Sequence, residues 1–175
     1  LPGWSPLHLR SQWEFVRGHP QLLPVANARF RISYKYLQDK RLELIHDGIS
    51  KVYEDPDVLP RAYVVEADTV IADARQRIRF MRSDAFEPAR RVVLSQRPWE
   101  RRIPEARSVE GSGGEVHAVG ITLYQPEEVR VDLGHHGDGL LVLSDTHYPG
   151  WRAWVDGREV PIGEANHVFR AVPVN

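Results

Sequence analysis

The sequence predicts a mainly β protein with minor α content, in which a small α+β portion precedes an antiparallel, jelly-roll-like β-sandwich. Two observations support this fold class. From Val119 onwards, short runs in which every second residue is apolar recur at the spacing typical of sandwich strands. Two Asp-Gly pairs, Asp47-Gly48 and Asp156-Gly157, each separate two such runs, and Asp-Gly accepts the positive φ angles of a tight type I′ hairpin turn.

Composition excludes several classes of function. The 175 residues include 23 basic and 24 acidic side chains, which argues against a nucleic-acid-binding protein because such proteins concentrate positive charge. The chain has no cysteine, so it forms neither disulfides nor cysteine-based metal centres. No apolar run approaches the roughly 18–20 residues that cross a bilayer. The start lacks both a signal peptide and an initiator Met, so we expect a piece of a longer protein.

Residues 1–110 are predicted to form the α+β portion. Ser5-Pro6 can begin an N-terminal helix, because serine caps helices and proline is tolerated in their first turn. Its apolar stripe would be Leu9, Trp13 and Val16. Asp73 can cap a second, short helix. The segments predicted as strands, including the first hairpin, are 28–34, 42–46, 49–53, 62–67 and 92–94.

Residues 111–175 are predicted to form the sandwich portion. The run Gly111-Ser112-Gly113-Gly114 is typical of a flexible loop and is the best candidate boundary. The segments predicted as strands are 119–123, 129–133, 140–143, 151–155, 160–162 and 168–172. Leu140 to Leu143 is apolar on both faces, which favours a strand in the middle of a sheet. We expect the first portion to pack on the sandwich; one compact domain is the alternative.

The histidine-rich segment is the candidate metal site. His135, His136 and Asp138 are followed by Asp145 and His147 on the next predicted strand. Adjacent residues on a strand point to opposite faces, so the two neighbouring histidines could bind one ion only from a loop. The flanking glycines predict such a loop, but an exposed turn rich in histidine is an ordinary solvent-facing connection. We therefore predict neither a metal nor a cofactor.

Patterns that support catalysis are missing from the sequence. A nucleophilic mechanism needs an activated Ser, Cys or Thr beside a base, and no Gly-x-Ser-x-Gly elbow occurs. Ser144-Asp145-Thr146-His147 lies at a strand end without partners in a recognisable order. Gly111 to Gly114 lacks the Gly-Lys-Ser/Thr ending of a phosphate-binding loop. We predict no catalytic residue.

A group of aromatic residues is the candidate binding surface: Tyr124, Tyr148, Trp151, Trp154 and Phe169. Trp151 and Trp154 are an odd number of residues apart, so on a strand they face opposite sides. One indole is then expected in the core and the other exposed, where it can stack on a sugar ring or contact a protein or membrane surface. We predict glycan or partner contacts at Tyr148, Trp151 and Trp154. The alternative is that both tryptophans fill layers of the core.

The C-terminal region resembles the hallmark of YfhO-type bacterial membrane proteins. That pattern is an apolar strand, Ser-Asp, two variable residues, Tyr-Pro-Gly-Trp, an aromatic residue, Val-Asp-Gly and a returning strand, and it matches Leu141 to Ile162. Asn166 to Pro173 is similar to its continuation. Earlier segments similar to the family are Pro6 to Arg10, Asn27 to Ile32 and Val52 to Ala62, so the likeness covers most of the chain.

The resemblance implies a multi-pass membrane parent related to the polytopic glycosyltransferases that use lipid-linked sugars. This segment would be its extracytoplasmic domain at the bacterial cell membrane, with the membrane-embedded remainder of the same polypeptide as its partner. The catalytic acids of such enzymes lie in loops between membrane helices, so the resemblance assigns no active-site residue here. The family pattern continues beyond Pro173 with a Gly-x-His strand, so we expect the sandwich to lack its last strand.

We therefore expect a non-catalytic domain that supports a membrane glycosyltransferase by holding a polymer acceptor, such as a cell-wall glycan, or a partner protein. A free-standing carbohydrate-binding module is the first alternative, and a small hydrolase with an unrecognised site is the second. No nucleic-acid partner is expected.

Overall fold

Strands dominate the part of the chain that the structure, a computed structural model, describes: residues 15, 19–99, 116–134 and 138–174. In chain order the strands are β1 (Phe30–Ser33), β2 (Glu43–Asp47), β3 (Lys51–Glu54), β4 (Ala62–Val65), β5 (Ala67–Val70), β6 (Arg91–Leu94), β7 (His117–Ala118), β8 (Gly120–Tyr124), β9 (Val129–Asp132), β10 (Gly139–Leu143), β11 (Ala153–Val155), β12 (Arg158–Val160), β13 (Gly163–Ala165) and β14 (Phe169–Val174). A helix, α1 (Ala74–Met81), lies between β5 and β6, and two short 3-10 turns (Pro20–Leu22 and Pro24–Ala26) precede β1. The predicted mainly β class with minor α content is confirmed.

The largest sheet has seven strands in the order β5-β6-β13-β14-β10-β4-β7. Its neighbouring strands are antiparallel except β5 and β6, which run parallel and are joined through α1. A parallel pair needs such a crossover because a tight turn cannot join strands that point the same way. This pair departs from the antiparallel jelly roll that the sequence predicts. The remaining strands form the sheet β1-β3-β2 and the hairpins β8–β9 and β11–β12.

β10 lies in the middle of the seven-stranded sheet, between β14 and β4, as its apolar sequence predicts. Leu140 and Val142 are fully buried and join the main hydrophobic core on one face of the sheet. Leu141 points to the opposite face, because successive side chains of a strand alternate, and it pairs with Val172 of β14. We refer to this opposite face as the second face of the sheet.

The seven-stranded sheet takes strands from both sides of the glycine-rich boundary. β4, β5 and β6 precede residue 110, whereas β10, β13 and β14 follow it. The glycine run 111–114 itself lies outside the described residues. So does the predicted N-terminal helix, except Phe15, which is helical, buried and in edge-to-face contact with Phe169 at 5.5 Å between ring centroids.

The two Asp-Gly pairs form different turns. Asp156 and Gly157 have φ angles of 49° and 77°, and they connect β11 to β12 as the predicted two-residue type I′ turn. Asp47 and Gly48 also lie in a hairpin, but Gly48 is not in the left-handed region and the connection comprises residues 48–50. The prediction of a hairpin is confirmed, but the predicted type I′ turn is wrong. A bulge at Ile45 shifts the register of β2 against β3, which changes where the connection must close.

α1 begins at the residue that the sequence predicts. Asp73 has an extended backbone, and its Oδ1 accepts a hydrogen bond from the backbone N–H of Gln76 at 2.8 Å. Met81 is buried, and so is Arg77, whose Nη1 donates to the carbonyl oxygen of Ile71 at 2.8 Å. This bond ties the helix to the end of β5. Among the residues that the structure describes, no helix has the length and apolar character needed to span a membrane.

Candidate functional site

A groove of about 1160 Å³ runs along the second face of the seven-stranded sheet. The sheet contributes apolar side chains to its lining: Leu141, Leu143, Val172 and Val174. The hairpin β8–β9 contributes a second group, which includes Val129, Val131 and Leu133. The segment from Tyr148 to Asp156 contributes the third. Two hairpins and one sheet face therefore enclose an open, partly apolar channel.

The three predicted contact residues all line this groove. Trp154 is 55% exposed and Tyr148 is 37% exposed, while Trp151 is half-buried. Neither Trp151 nor Trp154 belongs to the hydrophobic core, so the alternative that both fill core layers is wrong. The expectation of one core indole is wrong as well. Trp151 precedes β11, so strand alternation does not govern the pair, and both rings lie along the same groove.

Each indole carries an arginine over one of its faces. The guanidinium carbon of Arg170 lies 4.2 Å from the Trp151 ring centroid, and that of Arg152 lies 5.0 Å from the Trp154 ring centroid. Arg152 also donates from Nε and Nη2 to the two carboxylate oxygens of Glu159, at 2.7 and 2.6 Å. Cation–π contacts and a bidentate ion pair restrict the motion of long side chains. These contacts orient the Trp154 ring while leaving more than half of the side chain exposed.

Asp145 joins three elements near the groove. Its Oδ2 accepts from Nη2 of Arg170 on β14 at 2.8 Å, and its Oδ1 accepts from Nη2 of Arg61 at 2.6 Å. The hydroxyl of Tyr124, at the end of β8, donates to Asp145 at 3.2 Å and also contacts Arg61. We refer to Asp145, Arg61, Arg170 and Tyr124 as the Asp145 network. It ties the hairpin β8–β9 to β14 and to the ends of β4 and β10, and so helps to fix one wall of the groove.

Ion pairing favours the charged forms of Arg61, Arg152 and Glu159, whereas burial disfavours the charged form of Arg170. Burial lowers the pKa of Arg170, and the Asp145 carboxylate opposes that change. Burial also lowers the pKa of Arg61, but the hydrogen bond and charge of Asp145 outweigh it, so its pKa is raised overall. The hydrogen bond between Arg152 and Glu159 raises the pKa of the arginine and lowers that of the acid. A carboxylate held by two guanidinium groups is a poor general base, because its lone pairs are already engaged.

Little in the sequence indicates which residues support the aromatic groups. Asp145 is a candidate metal ligand and triad member in the sequence, but the structure places it in an ion network. A charged residue inside the apolar run of β14 is a signal that could have identified Arg170. Nothing in the sequence marks Arg61, which is 84 residues from Asp145.

The histidine-rich segment is only partly described. His135 and His136 lie outside the described residues, while Asp138, Asp145 and His147 lie within them. Within the described part of the chain, no three His, Asp or Glu side chains come close enough together to hold a metal ion. The prediction of no metal site therefore stays a prediction.

Comparison with protein-family models, with curated proteins and with solved structures found no match to this chain. The likeness to YfhO-type membrane proteins thus stays a prediction that depends on the motif between Leu141 and Ile162.

Proposed function

We propose that this chain is a non-catalytic, extracytoplasmic domain of a bacterial membrane protein related to lipid-linked-sugar glycosyltransferases, and that its groove binds a glycan acceptor. The observation that carries the proposal is the groove itself. Tyr148, Trp151 and Trp154, selected from the sequence as contact residues, all line one continuous channel.

The groove suits a segment of polymer better than a small molecule. Its volume of about 1160 Å³ exceeds the roughly 300–1,000 Å³ of typical small-molecule sites. It is open to solvent and bordered by two hairpins and the sheet. Its lining combines apolar and aromatic surface with charged residues at the rim, including Glu127, Arg130 and Arg152. Sugar rings offer both an apolar face and hydroxyl groups, so they match such a lining.

The positions of the two indoles support stacking. Trp154 is exposed and oriented by Arg152, so a sugar ring can cover it without first ordering a mobile side chain. Trp151 is held by Arg170 and lies deeper. Two aromatic residues at different depths give a ligand chain a preferred orientation across the groove.

Binding can be tested with purified protein and bacterial cell-wall polymers on a glycan array, followed by titration calorimetry of each positive polymer. We expect Trp154→Ala to weaken binding by about tenfold, the loss of one stacking contact. Tyr34→Ala removes an aromatic side chain that is 81% exposed outside the groove, so it is the matched control and should bind like the wild type. Binding that is equal in all three proteins would place the glycan elsewhere, and absence of binding to every polymer would refute the glycan proposal.

A free-standing carbohydrate-binding module is the alternative that fits the same groove. The gene that encodes the chain distinguishes the two. The proposal expects multiple hydrophobic spans upstream in the same reading frame, and a reporter fused to this domain should report an extracytoplasmic position. A cytoplasmic reporter signal would exclude the extracytoplasmic placement.

A further inference from the structure

The hairpin β8–β9 is joined to the rest of the described chain by few interactions. In that part of the chain it forms a two-stranded sheet of its own, and neither strand is hydrogen-bonded to another sheet. Its residues, from Gly120 to Gly134, are at most half-buried, and none belongs to the hydrophobic core. A two-stranded hairpin is at best marginally stable alone in water, so its position depends on the contacts that it makes elsewhere.

Tyr124, at the tip end of β8, supplies these contacts. Its hydroxyl donates to Asp145 at 3.2 Å and contacts Arg61, whose guanidinium carbon lies 4.5 Å from the centroid of the tyrosine ring. Among the described residues, no other hydrogen bond joins residues 120–134 to the rest of the chain. We refer to Tyr124 with Arg61 and Asp145 as the latch. Tyr124 is 52% exposed and the Arg61 side chain is 44% exposed, and contacts between exposed side chains are weak.

A glycine lies at each end of the hairpin. Gly120 begins β8 directly after Val119, whose backbone N–H is bonded to the carbonyl oxygen of Ala62 at 3.2 Å. Gly134 lies just beyond β9 and has a φ of 61°. A Cβ atom at either position would meet nothing within 4 Å. Because glycine has the widest choice of backbone angles, the chain can rotate at both positions at little cost.

We propose that the hairpin β8–β9 is a flap that opens and closes the groove, turning at Gly120 and Gly134 and held shut by the latch. The hairpin provides one wall of the groove through Val129, Val131 and Leu133. With the flap closed, a ligand contacts this wall and the sheet together, whereas with the flap open the wall is lost. A ligand favours the state for which it has the higher affinity, so it favours the closed flap.

The latch and the aromatic lining share one carboxylate. Oδ1 of Asp145 accepts from Arg61, and Oδ2 accepts from Arg170, whose guanidinium group lies over the Trp151 ring. The pair between Asp145 and Arg170 is buried and does not involve Tyr124. Opening the latch therefore removes the wall and leaves Trp151 in place. Closure over a glycan rests on the proposed function, whereas opening of the flap in the free protein does not.

Distances between spin labels test the flap without any ligand. The chain has no cysteine, so labels can be attached at Glu127→Cys, at the tip of the hairpin, and at Glu66→Cys, an exposed position between β4 and β5. We expect one main distance and a minor second component from double electron–electron resonance. Tyr124→Ala should raise the second component about fivefold, because the latch contacts are lost. Labels at Glu66→Cys and Gln76→Cys, both outside the hairpin, should give one distance in every variant.

Tyr36→Ala is the matched control for the latch variant. The hydroxyl of Tyr36 donates to Oδ2 of Asp47 at 2.7 Å, and Lys51 lies over its ring, so the residue makes the same two kinds of contact outside the groove. It should leave the distances between the labels unchanged. Tyr124→Phe, which loses only the hydroxyl, should give a smaller rise and serves if Tyr124→Ala fails to fold. A distribution that Tyr124→Ala leaves unchanged, or that Tyr36→Ala changes equally, would overturn the proposal.

Amide hydrogen exchange separates local opening from loss of global stability. Exchange of the amides between Gly120 and Asp132 should be about fivefold faster in Tyr124→Ala, while amides of β10 and β14 should exchange as in the wild type. Equal acceleration in β10 would overturn the local flap. Solubilised peptidoglycan fragments, added to the labelled protein, should remove the second distance component. If they bind and the component persists, the flap does not close on the glycan. If no glycan binds, the proposed function fails and the ligand-free distances alone decide the flap.

Discussion

Arg170 donates from Nη2 to Oδ2 of Asp145 at 2.8 Å, and each of these side chains is only 9% exposed. The pair joins β14 to the segment that follows β10 and lies beside the groove that Trp151 and Trp154 line. A buried guanidinium needs a counter-ion, because desolvating a charge is expensive. Arg61 contacts the same carboxylate, but its side chain is 44% exposed and can be solvated by water.

Asp145→Ala should therefore lower the free energy of unfolding much more than Arg61→Ala does. We expect a loss of about 3 kcal/mol for Asp145→Ala, because Arg170 remains buried without a partner. Arg61→Ala should cost at most about 1 kcal/mol, as is typical of exposed pairs. Urea denaturation at neutral pH measures both. Asp145→Ala combined with Arg170→Met should recover part of the loss, and equal costs for the two single variants would contradict this assignment.

Asn166→Ala should destabilise the turn between β13 and β14. The Asn166 side chain is fully buried, and its Oδ1 accepts from the backbone N–H of Val93 at 3.0 Å. Its φ angle is 45°, in the left-handed region. Alanine loses the amide contacts, at about 1–3 kcal/mol, and adds about 1 kcal/mol of backbone strain. Asn166→Gly loses the same contacts but adopts the positive φ angle without strain. Urea denaturation should therefore find Asn166→Ala less stable than Asn166→Gly. The reverse ranking would show that the φ angle carries no cost.

Gly139→Ala should disturb the centre of the seven-stranded sheet. A Cβ atom at this position would lie 2.7 Å from Cγ1 of Val64 and 2.9 Å from the carbonyl oxygen of Val65. Because the second contact is backbone, relief requires β10 to move away from β4, and we expect a cost of about 2 kcal/mol. Gly120→Ala is the matched control: its Cβ meets nothing within 4 Å, so thermal unfolding should change little. A similar change in the two variants would argue against the close approach of β10 and β4.

Tyr63 should make the protein less stable at alkaline pH. Its side chain is fully buried, and burial raises the pKa of its hydroxyl far above the ordinary value of about 10. Below about pH 10 the residue is neutral in both the folded and the unfolded chain, so its contribution to stability is fully present. As the pH rises past about 10, the unfolded chain releases the proton and the folded chain retains it. Stability then falls by up to about 1.4 kcal/mol per pH unit until the folded pKa is reached.

The comparison of wild type with Tyr63→Phe isolates this effect. Urea denaturation at about pH 8 and about pH 11 should show a smaller alkaline loss for Tyr63→Phe, since phenylalanine has no proton to release. Tyr34→Phe changes a tyrosine that is 81% exposed, so its alkaline loss should match that of the wild type. Identical losses in all three proteins would mean that Tyr63 can ionise without unfolding.

Local features of the fold could be predicted because their causes lie within a few residues. Asp73 caps α1 because its carboxylate lies three residues from the free N–H group that it accepts from. Asp156-Gly157 forms a two-residue turn because both residues tolerate the positive φ angles that the turn requires. The apolar run from Leu140 to Leu143 predicted a central strand, because only such a strand is buried on both faces. The aromatic residues of the sequence indicated Tyr148, Trp151 and Trp154 as contact residues, but strand alternation wrongly placed one indole in the core, and no local pattern indicated the groove.

The sequence by itself determined the mainly β class, most strands and one of the two hairpin turns. The tertiary structure decided which strands are neighbours. β6 lies between β5, to which it runs parallel, and β13, which is far from it in the sequence. It also decided that Arg61, Asp145 and Arg170 meet, and that a bulge in β2 changes the turn after Asp47. Propensity and periodicity describe how a residue relates to its chain neighbours. Partners far along the chain are selected by the burial and charge compensation of the whole fold, which no single segment encodes.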